Sequence, residues 1–171
     1  MKMKYCMECG TALQIKDHGA EGLVPYCEHC AAFRYPVFNT AVSLLVTDEA
    51  GEKVILIRQY GRPHYILVAG YVNRGEDAED AARRELQEEL GLTAKSLRFN
   101  RSRYFPPSNT LMLNFTVTVS AQQVRPNSEV DGWRWFTLDE ARAAIKPNSL
   151  ARAFLLGWLD GEYSFPEYRK E

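Results

Sequence analysis

Shortages narrow the class of this chain before any motif is read. Among 171 residues no apolar run approaches the roughly 18 positions that a membrane-spanning helix needs, so no membrane partner is expected. Neither charge sign is in excess: 21 Lys and Arg stand against 22 Asp and Glu, a formal net charge of −1. That balance argues against holding nucleic acid by broad neutralisation of phosphates. The start, Met1-Lys2-Met3-Lys4-Tyr5, lacks the apolar stretch of a signal peptide, which makes the cytoplasm the expected compartment. Internal repeats and low-complexity segments are missing as well. What remains is a globular composition, 46% hydrophobic and 25% charged, in a chain long enough to bury about 70% of its unfolded surface.

Cysteine is scarce, and its placement is informative. All four copies fall between positions 6 and 30, as Cys6-Met7-Glu8-Cys9 and Cys27-Glu28-His29-Cys30. A C-x-x-C turn aims two thiolates at one tetrahedral ion, and a hairpin between two such turns closes the other corners. Gly10 suits the tight knuckle after Cys9. Two disulfides or a redox pair are the other readings. A reducing compartment disfavours disulfides, and a redox C-x-x-C needs no second copy. Structural Zn²⁺ on Cys6, Cys9, Cys27 and Cys30 is therefore expected, in a ribbon over 1–33 followed by a second domain over 34–171. Four sulfur ligands leave no open position for chemistry, and His29 is expected to face solvent. His18 and His64 have no evident partner and read as solvated loop residues.

Beyond Pro36, strands are expected at Val37–Thr47 and Lys53–Gln59, joined through the turn residues Asp48-Glu49-Ala50-Gly51. A short apolar run follows at 65–69, then a helix over Ala78–Leu90 with Asp77 as its cap and Gly91 as its stop. Further strands are expected near 97–104, 111–119 and 130–136. Thr137-Leu138-Asp139-Glu140 is a capping box for a helix to about Ile145, and Leu150–Asp160 reads as a last amphipathic helix. The mixture points to an α/β sandwich.

The helix over 78–90 carries the chemistry. Glu85, Glu88 and Glu89 stand at i, i+3 and i+4, three carboxylates within one turn, with Ala78, Ala81, Ala82, Leu86 and Leu90 expected as an apolar stripe on the opposite face. Like charges at that spacing weaken an isolated helix, and hard oxygen donors so close together suit Mg²⁺ or Mn²⁺. A solvated acidic face is the plainer reading; it explains one or two glutamates well and three poorly. Gly70 and Gly75 bracket a loop before the helix where backbone can approach a ligand, and Arg84 can pair with Glu76 to fix that loop. Seven of the 22 acids lie between Glu76 and Glu89, so the even balance of charge conceals an acidic focus.

Gly70, then Glu76 after five residues, then Arg84-Glu85-Leu86-Gln87-Glu88-Glu89-Leu90-Gly91-Leu92 after seven more, resemble the Nudix box at its nine defined positions over 23 residues. The resemblance implies a Nudix α/β/α sandwich with a mixed sheet, and a divalent-metal-dependent hydrolase of nucleoside diphosphates linked to another group. It implies Glu85, Glu88 and Glu89 as catalytic metal ligands, Gly70 as a carbonyl ligand, and Glu76 with Arg84 as their support. Glu129, before the strand Val130–Phe136, matches a further metal-binding glutamate of many Nudix proteins; a plain loop carboxylate is the equal alternative. Trp133 and Trp135 share one side of that strand and read as core or interface packing.

A ribbon preceding such a domain is similar to the NADH diphosphatase subgroup. On that resemblance Tyr71, after Gly70, would stack on a substrate ring, and Thr110, Met112 and Ala151 would line the substrate site. Two departures stand out. Full-length members carry an extra N-terminal domain of which nothing is present here, and their Ser-Gln-Pro-Trp array is altered to Ser102-Arg103-Tyr104-Phe105. NAD(H), cleaved to AMP and nicotinamide mononucleotide, is the first expectation, with ADP-ribose or another nucleoside diphosphate sugar as the alternative. A homodimer is implied by resemblance alone. A ligand- or RNA-binding regulatory module is the reading from a different class, but the box is intact. Within the ribbon only Lys2, Lys4 and Lys16 are basic, against Glu8, Asp17, Glu21 and Glu28, a poor footprint for phosphates. Nucleic acid is therefore not an expected partner, except as nucleotide-capped RNA, where the same bond would be cut.

Overall fold

A computed structural model describes residues 3–163 of the chain; Lys2, and the outer ends of the 1–33 and 34–171 ranges, lie outside them. The chain forms two compact units, Met1–Phe38 and Asn39–Glu171.

The first unit is a three-stranded antiparallel sheet of β1 (Gln14–Asp17), β2 (Leu23–Cys27) and β3 (Ala32–Phe33), in that order. Eleven strand residues cannot bury a core, so the unit is assembled around the cysteines, with Cys6 and Cys27 buried. His18 differs from expectation: exposed in its loop, it stacks on Phe33 with ring centroids 3.8 Å apart.

The second unit holds β4 (Asn39–Thr47), β5 (Lys53–Gln59), β6 (Val68–Tyr71), α1 (Ala78–Leu90), β7 (Ala94–Phe105), β8 (Thr110–Val119), β9 (Val130–Thr137), α2 (Leu138–Ala144) and α3 (Leu150–Leu159). The sheet runs β7-β8-β4-β5-β9, with β6 also pairing β4. The β4–β8 pairing is parallel and the others antiparallel, so the sheet is mixed. β5 meets β4 only at Val46 and Thr47, and β6 takes its place alongside Ala41–Leu44. That splaying sets Gly70 of β6 opposite Val42 of β4 and against the Glu85 carboxylate.

Strand alternation fills both faces. Val42, Leu44 and Val46 of β4 and Ile55 and Ile57 of β5 pack toward α1; Leu45, Val54 and Leu56 pack toward α2 and α3. The α/β/α sandwich follows from these two apolar layers. On α1, Leu86 and Leu90 are fully buried, each worth about 1.5–3 kcal/mol relative to exposure.

Local signals set the ends of elements. Gly91 stops α1 with φ of +65°, and its N–H bonds Gln87 O at 2.9 Å. Thr137 and Glu140 form the reciprocal capping box of α2, and Ser149 caps α3 by accepting from the Arg152 N–H at 3.1 Å. Asp77 holds the N-cap position of α1, but its side chain makes no capping bond. β4 begins two residues later than expected, at Asn39, and β7 extends beyond both expected ends to Ala94–Phe105, because β8 offers a partner along most of its length.

Candidate active site and cysteine cluster

The apolar stripe of α1 does not lie opposite its carboxylates. Successive steps of four put Ala81, Glu85 and Glu89 on one buried ridge of α1, a helix packed against β4 and β6, and Glu89 reaches Gln59 at the end of β5. Glu85 is buried and Glu89 is 3% exposed, whereas the Glu88 side chain is 54% exposed. The Gly70 backbone passes so close to Glu85 that a β-carbon there would overlap its carboxylate.

Arg84 organises the solvent side of the ridge. Its guanidinium pairs in a fork with Glu76, Nε to Oε1 at 2.7 Å and Nη2 to Oε2 at 3.0 Å. Nη2 also donates to the Tyr71 carbonyl at 2.9 Å, while Nη1 lies between Glu85 Oε1 at 2.6 Å and Glu88 Oε2 at 3.0 Å. Glu76 in turn accepts from the Asn73 N–H at 2.9 Å, which ties the loop before α1 to the helix. The Arg84 guanidinium, helped by that N–H, holds the Glu76 carboxyl at about 2.

Glu89 is in a different environment. Gln59 Nε2 donates to its Oε1 at 2.7 Å, while Oε2 is buried without a partner among the described residues. Burial first, then the Glu85, Glu129 and Glu88 charges, push its pKa up to about 7 despite the Gln59 bond. Glu129 belongs to the same acidic group: Tyr60 Oη donates to its Oε2 at 2.9 Å, and its N–H bonds Asn127 Oδ1 at 3.0 Å. Gly61 N–H donates to Asp131 Oδ2 at 2.6 Å, clamping the turn after β5 to the start of β9. Neither Gln59, expected only as a strand end, nor Tyr60 is marked by the sequence as a site residue. The available signal was the alternation Ile55, Ile57, Gln59, which ends an apolar ladder facing α1 on a polar residue.

The residue set suits a divalent cation. Glu85, Glu88, Glu89 and Glu129 with a single arginine leave excess negative charge, and the unpartnered Glu89 oxygen is a buried acceptor lacking a donor. The carboxylates are spread between Arg84 and Gln59 rather than closed on one point.

Of the expected substrate-lining residues, Tyr71 of β6 and Met112 of β8 both stand opposite Ala41 of β4. Tyr71, 58% exposed, borders the carboxylates through its carbonyl. Thr110 is buried at the start of β8, its hydroxyl 2.9 Å from Ser108 Oγ. Met112 and Ala151 pack in the apolar layer under α2 and α3, on the face of the sheet away from α1. Trp135 packs toward α1, while Trp133 is partly exposed.

In the ribbon, the four cysteines are free thiols whose sulfur atoms all lie within 4.8 Å of one another; among the described residues no other set of three or more metal-ligating side chains converges so closely. Cys9 Sγ and Cys27 Sγ are 3.5 Å apart and Cys6 Sγ and Cys30 Sγ 3.9 Å. A tetrahedral ion with sulfur at about 2.3 Å has sulfur–sulfur edges of about 3.8 Å, so the set fits one metal. Arg34 Nε donates to Cys6 Sγ at 3.3 Å and its Nη2 pairs with Glu8 at 2.6 Å. The Glu8 N–H, more than the Arg34 contact, draws the Cys6 thiol down to about 6.

The profile of the NUDIX domain family matches residues 37–156. The NAD-capped RNA hydrolase NudC of Pseudomonas aeruginosa is 32% identical over 152 residues, covering 87% of this chain and 53% of that protein. The mitochondrial NAD(P)H pyrophosphatase NUDT13 of Mus musculus is 29% identical over 149 residues, 84% of this chain and 41% of that one. The chain therefore spans about half the length, or less, of these curated relatives. Among solved structures, a NUDIX hydrolase from Nitrosomonas europaea superposes with a TM-score of 0.66 at 20% identity, over 96% of this chain and 97% of the other, a likeness of fold.

Proposed function

Because this chain belongs to the NUDIX domain family, we propose that it hydrolyses the pyrophosphate bond of a nucleoside diphosphate-linked substrate, with NAD(H) cleaved to AMP and nicotinamide mononucleotide as the preferred reaction. The observation that carries this reading is the buried Glu89 oxygen without a partner, in a group of four glutamates facing one arginine.

In this reading Glu85, Glu88 and Glu89, with the Gly70 carbonyl and Glu129, hold Mg²⁺ or Mn²⁺. Such an ion supplies charge neutralisation at the phosphoryl oxygens and acidifies a bound water. Glu89 Oε2, a buried acceptor that no described donor reaches, is the atom best suited to take a proton from attacking water. Gln59 orients Glu89 through Oε1. Arg84 and Glu76 keep the loop over 72–77 rigid, so the entropy of ordering it is spent on folding rather than in the transition state. Tyr71 is assigned to a substrate ring. The ribbon holds Zn²⁺ on Cys6, Cys9, Cys27 and Cys30 for structure. A homodimer in the cytoplasm belongs to the same reading.

The bond in question also occurs at the 5′ end of NAD-capped RNA, and the name of the Pseudomonas relative favours that as a second substrate. The test is a hydrolysis panel of NADH, NAD, ADP-ribose and dinucleoside polyphosphates under Mg²⁺ and Mn²⁺. Cleavage of NADH with the highest kcat/KM is expected; cleavage of ADP-ribose with none of the dinucleotides overturns the substrate assignment.

A further inference from the structure

Tyr60 breaks a local rule. It stands at a chain reversal where the Arg62 N–H bonds Gln59 O at 3.1 Å, with φ of +56° at Tyr60 and +66° at Gly61. Two successive left-handed residues make a turn that Asn-Gly fills best, and an aromatic residue in the first position is strained. Burial does not repay that strain, because Tyr60 is 66% exposed.

The strained turn aims the side chain. Tyr60 Oη reaches Glu129 Oε2 at 2.9 Å, so the ring is fixed beside the acidic group on the side of Gln59 and Glu89. A second chain of contacts runs from the carboxylates to Tyr71, also open to solvent: Arg84 pairs with Glu85 and Glu88 and donates from Nη2 to the Tyr71 carbonyl. Followed through these contacts, the order of groups is an exposed ring, carboxylates, and a second exposed ring. A pyrophosphate with a planar base at each end has the same order of parts.

We propose that Tyr60 is a substrate-binding residue that stacks on the second ring of a dinucleotide-type pyrophosphate, so that the site selects substrates with an aromatic base at both ends over those with one. This rests on the pyrophosphatase reading above and narrows its substrate class. Stacking of a base on an aromatic side chain is sequence-tolerant and strong enough to govern KM.

Steady-state hydrolysis of NADH and ADP-ribose by the wild type, Tyr60→Phe and Tyr60→Asn tests it. Asparagine suits the left-handed turn, so that variant removes the ring without endangering the reversal. The expected result is a KM for NADH raised about five-fold more than the KM for ADP-ribose in Tyr60→Asn, the low end of base stacking, with Tyr60→Phe within about two-fold of wild type. Equal effects on both substrates overturn the proposal. So does a Tyr60→Phe variant as impaired as Tyr60→Asn, which would mean that the hydroxyl's support of Glu129 is what matters. If the wild type cleaves ADP-ribose but not NADH, the two-ring selection fails while the pyrophosphatase reading stands. If it cleaves neither, both fail.

Discussion

Replacing Glu89 by glutamine is expected to stabilise the protein while removing its activity. The carboxyl has an ordinary value of 4.5 and is pushed up to about 7 in the fold, mainly by burial. Its folded pKa is raised, so its favourable contribution is complete below about pH 4.5 and is lost as pH climbs through 7. At pH 8 the ionised group therefore costs roughly 3 kcal/mol, from 1.4 kcal/mol per pKa unit. Glu89→Gln removes that cost, but the new amide places an N–H₂ where Oε2 already lacks a partner, which returns about 1–2 kcal/mol. A net gain of about 1–2 kcal/mol corresponds to a Tm higher by about 2–8 °C for a chain of this size. The assay is thermal unfolding at pH 5 and pH 8, without added Mg²⁺ or Mn²⁺ and without chelator, so that the ribbon keeps its metal. The gain should appear at pH 8 and vanish or reverse slightly at pH 5, where Glu89 is protonated in the fold and the unpaired N–H₂ of the amide outweighs the small remaining cost. Added Mn²⁺ should raise the wild-type Tm and leave the variant unmoved. A variant no more stable than wild type at pH 8 would refute the claim that this carboxylate is held at a cost.

Other consequences follow from the same contacts. Gly70→Ala must push Glu85 or β6 aside, because the added methyl overlaps the carboxylate; turnover should fall about 100-fold, the scale of a 1 Å misplacement, with the circular dichroism spectrum unchanged. Stripping the ribbon metal should make residues 3–38 susceptible to trypsin while residues 39–163 stay resistant, and mass spectrometry should find one zinc per chain beforehand; equal resistance with and without metal would contradict its structural role. Thr137→Ala should lower stability by about 1 kcal/mol in chemical denaturation, since it removes half of the capping box.

Features written locally were legible in the sequence. Gly91 as the stop of α1, the Thr137–Glu140 box, the turn from Asp48 to Gly51 and the grouping of Glu85, Glu88 and Glu89 each depend on residues within one turn of one another. The partition of the glutamates was not legible. Whether a carboxylate on α1 is buried depends on how β6 replaces β5 beside β4, a long-range pairing that leaves no mark in the helix itself. Gln59 and Tyr60 stayed hidden for the same reason: they come to the site through the end of β5 and a clamp onto Glu129 and Asp131, about 70 residues away. Arg34 meets Cys6 only once the ribbon closes. Met112 stands level with Tyr71 on the other side of Ala41, a neighbourhood that only the pairing of β6 and β8 with β4 creates.

In the proposed function the carboxylates of α1 drive pyrophosphate hydrolysis. The most direct test of that reading is the turnover of NADH with Mn²⁺ by the wild type beside Glu88→Gln, a change at an exposed carboxylate that leaves the core untouched. Equal amounts of AMP and reduced nicotinamide mononucleotide are predicted from the wild type, with kcat lower by about 100-fold or more in the variant at unchanged Tm. Near-normal turnover in Glu88→Gln would mean that these carboxylates do not carry the reaction.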